Sequence, residues 1–145
     1  MKGDAVPDPE HVARYCGGAS VHEDGSVDGS AFRLRDHRGE TFLSVNWLEL
    51  LDPSDRYRQL TALRQTYQAK NFNLRPAARF AVLQVGEVRT HVRDGSRDSR
   101  ELQVLHQPEP DDSSHCGIFG LRAEDDVIAD LIAETVHEIH PARNS

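Results

Sequence analysis

The sequence predicts an α+β domain, a mostly antiparallel or mixed sheet of about five to seven strands with two main helices packed on it. Three observations lead there. At 145 residues the chain has the usual size of one compact domain. Short apolar segments with period-two alternation recur along it, bounded by Gly, Asp and Pro turn residues. Two longer stretches carry apolar residues at helical spacing and are separated by runs of strands, the α+β pattern rather than the strict alternation of a parallel sheet.

Residues 1–9, with Pro7 and Pro9 and no periodicity, read as a mobile leader, residues 10–141 as the domain and residues 142–145 as a tail. His11 to Cys16 alternates as a first strand, and Gly17-Gly18 ends it. Turn dipeptides follow at Asp24-Gly25 and Asp28-Gly29. Ala31 to Arg35 alternates apolar and basic residues, as a strand with one buried face would. Asp36 to Glu40 is a turn that includes His37. Thr41 to Val45 is again strand-like and runs into a helical turn over Asn46–Leu51.

The first long helix is expected from Asp52-Pro53, since Asp caps free amides and Pro is tolerated at the first helical position. Tyr57, Leu60, Leu63 and Tyr67 form its apolar stripe, and it stops near Lys70-Asn71. Ala77 to Val85 fits a strand or a short helix. Glu87 to Arg93 alternates, with Val88, Thr90 and Val92 on one face of a strand. A hairpin-like loop at Asp94–Asp98 leads to Leu102, Val104 and His106 in the next strand. Gln107 to Ser114 is an acidic, proline-containing surface loop, and His115 to Leu121 an inner strand. The last helix spans Ala123 to His140. Its acidic first turn suits the helix dipole, its core face runs from Ile128 to Ile139, and Pro141 closes it.

Composition narrows the function. With 37% hydrophobic residues, 28% charged residues and a net charge of −7, the chain has no basic footprint overall, which disfavours nucleic acid as a partner. Its cations cluster between Arg56 and Arg100. No apolar run approaches the roughly 18–20 residues of a membrane span, and Met1–Pro7 lacks the apolar segment of a secretion signal. A cytoplasmic protein with no membrane association is expected. Cys16 and Cys116 are then two reduced thiols, with no C-x-x-C spacing for a zinc ribbon or a redox pair.

Eight histidines carry most of the potential chemistry. His22 and His37 lie beside turn residues, and His137 and His140 fall in the last turn of the final helix. His11, His91, His106 and His115 lie in or at the ends of predicted strands, where they would converge if those strands are neighbours. His91, His106 and His115 are the candidate catalytic residues, serving as acid, base and anion stabiliser. Arg89 and Arg93 would clamp a substrate, and the Pro108–Ser114 loop would partly cover the site. Cys116 follows His115 directly and so points to the opposite face of its strand. The plainer alternative is a set of half-buried sheet histidines bonded to backbone or carboxylates.

Ser44, Asn46 and Glu49 beside Trp47 make a second polar concentration. Asn46 and Trp47 are candidate binding residues, or else a strand-to-helix junction with a cap and a core ring. Arg14, Arg33, Arg35, Arg89 and Arg93 belong either to solvated sheet faces or to a cleft that receives phosphate or carboxylate. No cofactor is expected, and a divalent metal is left as a possibility that no ligand spacing such as H-x-x-x-H supports. Nucleotide loops and serine-hydrolase elbows are absent as motifs.

The blocks His11–Cys16, Gly29–Phe32, Leu43–Glu49, Thr90–Val92 and Ser114–Ile118 together resemble a family of small uncharacterised bacterial proteins, over nearly the whole chain from His11. The resemblance implies a bacterial cytoplasmic origin and assigns no residue a role. Small size, acidity and the lack of a catalytic signature favour a non-enzymatic protein-interaction module, accessory, antitoxin-like or immunity-like, whose partner has a basic surface. The alternative is a small histidine-dependent hydrolase, phosphodiesterase or nuclease-like, built on His91, His106 and His115. The sequence leaves oligomeric state open.

Overall fold

A computed structural model describes residues 2–35 and 38–143. Its six strands are β1 (His11–Cys16), β2 (Leu43–Trp47), β3 (Arg79–Gln84), β4 (Gln103–His106), β5 (His115–Phe119) and β6 (Glu138–Pro141). They form one sheet in the order β4-β5-β2-β1-β3-β6, every pairing antiparallel. The helices are α1 (Leu48–Leu51), α2 (Arg56–Ala69), α3 (Val85–Gly95) and α4 (Asp126–Ala133). The α+β expectation holds, with three main helices rather than two. His37, expected in a solvated turn, lies outside the described residues.

Burial on both sheet faces explains the main features of the core. Along β3, Ala81 and Leu83 join a cluster with Val88 and Val92 of α3 and Ile128 and Ile132 of α4. Phe80 and Val82 join a second cluster with Leu48, Leu60 and Leu63 from α1 and α2. A strand covered on both sides reads as a continuous apolar run, which is why Ala77–Val85 showed no clear period.

Four expectations are corrected. Glu87–Arg93 is not a strand but the middle of α3. Val85, Val88 and Val92 are buried at i, i+3 and i+7, one helical face; Val88 and Val92, four apart, also fit one face of a strand, and tertiary burial decides. Ala31–Arg35 is not a strand either. Gly29–Phe32 forms a 3-10 turn whose first amides are capped by the Asp28 carboxylate accepting from the Ser30 amide. A Cβ at Gly29 would stand 3.2 Å from the Cα of Asp130, so the turn packs backbone-close on α4.

The last helix ends at Ala133, and residues 138–141 leave it to pair with β3, Ile139 opposite Ala81. Without β6, the backbone groups along that side of a buried strand would have no partner, and this outweighs the helical period of the sequence. His137 and His140 are therefore not in a helical turn. The leader is also docked. Val6 is buried, its amide donates to the Val104 carbonyl, and the His106 amide donates to Asp4. Ala142, assigned to the tail, is buried as well.

α2 begins three residues beyond Pro53, where Asp55 accepts from the Arg58 amide at 2.8 Å. Leu60 and Leu63 bury its inner face, whereas Tyr57 is 77% exposed. Its C-terminus is set by Asn71 at φ 58, a left-handed residue that Asn tolerates and that reverses the chain. The reversal lays Phe72 edge-on against Tyr15 and Tyr67, with both centroid separations 4.9 Å.

Candidate functional site

The site begins where two strands part. β1 pairs with β3 along its whole length, but with β2 only at Val12–Trp47 and Ala13–Asn46. Arg14 fills the gap that opens. Its Nε donates to the Ala31 carbonyl at 2.9 Å and its Nη1 to the Ser44 carbonyl at 2.9 Å, so a guanidinium takes the place of the missing ladder bond. Arg14 is 7% exposed, and no carboxylate lies at ion-pair distance among the described residues. Burial pulls its pKa below the usual arginine range, with Arg35 adding to the effect and Glu40 opposing it.

The same guanidinium lines a cavity of about 280 Å³ on the α2 side of the sheet. Ser44 and Asn46 of β2 and His115 of β5 form its floor, in register on one face because Asn46 opposes His115. Tyr15, Tyr67 and Phe72 make an aromatic wall, and Arg35 and Lys70 bring further charge. Arg35 already faces Glu40 at 3.3 Å, and Lys70 faces Asp112 at 3.1 Å and Glu109 at 3.7 Å. Among the described residues, Arg14 is the lining cation without such a partner. A second hollow of about 340 Å³ adjoins it, sharing Arg14, Tyr15, Arg35 and Phe72 and adding Arg38, Ser20 and Ser30.

Under the floor runs a fully paired polar network. Asn46 donates from Nδ2 to Asp112 at 2.8 Å and to Ser114 Oγ at 2.9 Å, and the Ser114 hydroxyl donates to Asp112 at 2.7 Å. Burial of the Asp112 carboxyl would raise its pKa. The bonds from Ser114, Asn46 and Lys70 outweigh burial and hold it below the ordinary carboxylate range. His115 is equally fixed. Its Nδ1 donates to the Gln107 carbonyl at 2.8 Å, which leaves Nε2 as acceptor for the Ser44 hydroxyl at 3.1 Å.

The candidate residues read from the sequence separate into three places. His115 and Asn46 meet in the cavity. His106 sits on the opposite sheet face in register with Cys116, its ring edge-on to Trp47 at 5.5 Å, and its Nε2 donates to the Ser113 carbonyl. Trp47 donates to Glu10, so it is no wall of the cavity. His91, Arg89 and Arg93 stand on α3. His91 pairs with Glu134 at 2.7 Å, Arg89 with Asp8 at 2.9 Å and Arg93 with Asp94 at 3.3 Å. The loop before Ser114 does bind both His106 and His115, through the carbonyls of Ser113 and Gln107. His11 is held by both oxygens of Glu49.

Cys16 and Cys116 are free and buried, and burial pushes their thiols up to about 11 and about 12, away from nucleophilic character. Among the described residues no three His, Cys, Asp or Glu side chains are grouped to hold a metal, and no helix is long and apolar enough to cross a membrane. Lys70, Tyr67 and Tyr15 escaped the sequence reading. The signal for Arg14 was present, since Val12, Arg14 and Cys16 put a charge on the buried phase of β1. No protein-family model, curated protein or solved structure matches this chain, so the reading of the cleft rests on its own geometry.

Proposed function

We propose that the protein is a small-molecule-binding domain whose cleft takes a ligand carrying a phosphate or carboxylate on Arg14. The observation behind this reading is a buried guanidinium, held by two carbonyls and facing a cavity, with no carboxylate at ion-pair distance among the described residues. A desolvated cation gains more from an incoming anion than an exposed one, and no existing salt bridge at Arg14 has to break first. Arg35 and Lys70 are offset by Glu40, Glu109 and Asp112, which leaves Arg14 to hold the anion. The overall charge of −7 opposes anion approach only weakly at physiological salt, where screening acts over about 8 Å. Tyr15, Tyr67 and Phe72 offer apolar contact to the rest of a ligand.

A small anion as the ligand replaces the protein partner that the sequence led us to expect. A protein partner with a basic surface has only the net charge in its support. The test is a nuclear magnetic resonance titration with phenyl phosphate and with phenylacetate at millimolar concentrations. Saturable shifts of the Arg14 Nε–H and Ser44 amide signals are expected with at least one anion, and their loss in Arg14→Gln. A folded spectrum of the variant shows that the fold is kept. No saturable shift with either anion would overturn the reading.

A further inference from the structure

The Ser44–His115 contact is unusual for a merely structural bond. Ser44 is exposed in the cavity, so its hydroxyl needs no protein partner to be satisfied. His115 is 6% exposed and is fixed through Nδ1 by the Gln107 carbonyl. The ring thus presents a lone pair on Nε2 to an exposed hydroxyl at 3.1 Å, with the opposite nitrogen held by an acceptor. These are the relations of nucleophile, base and orienting group that activate a serine, with a main-chain carbonyl in the orienting role. Arg14 binds the carbonyl oxygen of Ser44 itself and lines the same cavity as the hydroxyl.

We infer that Ser44 and His115 are catalytic residues that hydrolyse carboxylic esters of small anionic molecules. The inference rests on the anion-binding reading for its substrate class. In the first half-reaction Ser44 Oγ bonds to the ester carbon while its proton passes to His115 Nε2. The tetrahedral intermediate collapses with cleavage of the bond to the alcohol, which leaves with the proton from Nε2. Water then adds to the acyl-serine by the same route, giving its proton to Nε2. Collapse releases the acid and returns the proton to Ser44. The Gln107 carbonyl accepts from Nδ1 throughout and steadies the transient imidazolium.

The experiment compares the mono-4-nitrophenyl ester of succinate, which carries a carboxylate, with neutral 4-nitrophenyl acetate. In parallel, phenylmethylsulfonyl fluoride labelling is read by intact mass and peptide mapping. In the wild type the label is expected on Ser44, and kcat/KM at least tenfold higher for the anionic ester. Ser44→Ala abolishes the label and reduces turnover to the level of non-specific attack by surface groups. This variant changes an exposed side chain and keeps the fold. His115→Gln, which can still donate to Gln107, lowers labelling at least a hundredfold. Arg14→Gln removes the preference for the anionic ester.

Absence of a Ser44 label, together with turnover unchanged in Ser44→Ala, would overturn the inference even where anions still bind at Arg14. A labelled Ser44 with equal rates on the two esters would overturn the anionic substrate class.

Discussion

Asp112 is the residue whose environment departs most from its sequence context. It stands in an acidic, proline-containing loop, yet its side chain is 1% exposed and bonded to Asn46, Ser114 and Lys70. Because its folded pKa is depressed, its contribution to stability is present above the unfolded value of about 3.9 and is lost as pH falls through the lower folded value. Urea unfolding of wild type and Asp112→Asn should therefore differ clearly at pH 7, and the difference should shrink below pH about 4. A gap that stays constant with pH would mean that the ionised form is not the stabilising one. None of this was legible in one dimension, since the three partners come from β2, the residue before β5 and the residue after α2. Arg14 was more readable. A charge between Val12 and Cys16 breaks an alternation that is otherwise apolar, and breaks of that kind tend to mark functional positions.

At the scale of elements, local and tertiary signals agreed for β1, β2, β4 and β5, and the expected boundaries stand within a few residues. They disagreed where one pattern suited two structures. Val88 and Val92 of α3 satisfied a strand and a helix equally, and residues 134–140 continued a helical period that the open side of β3 overrode. β5 shows how closely neighbours fix a strand. A Cβ at Gly117 would fall 2.5 Å from a ring carbon of Phe42 and 2.9 Å from one of Phe119, the two rings lying 4.8 Å apart across it. Phe42 also meets His115 edge-on at 5.9 Å. Gly117→Ala should thus cost about 1–3 kcal/mol through overpacking, measurable as a lower urea midpoint. Displacement of Phe42 should also perturb the His115 ring signals. An unchanged midpoint would show that Phe42 can turn aside freely.

For the whole molecule, the docked N-terminal segment changes how the sheet is bounded. Proline content and missing periodicity hid it, because three backbone bonds to β4 and one buried valine leave almost no pattern in sequence. The His106 amide, which donates to Asp4 at 2.8 Å, is expected to exchange slowly with deuterium. Removing residues 2–6 should expose that amide and speed its exchange at least tenfold, with little change in the amides of β1 and β3. Equal exchange in both chains would restore the mobile leader. The two rims of the sheet are therefore unlike. One is overlaid by the chain's own beginning, whereas the other, β6, is four residues long and ends at Pro141, with Arg64 donating to the Pro141 and Ala142 carbonyls. A strand added from another copy has to meet β6 or the outer side of the N-terminal segment, because β4 is already paired through Ala5 and Leu105.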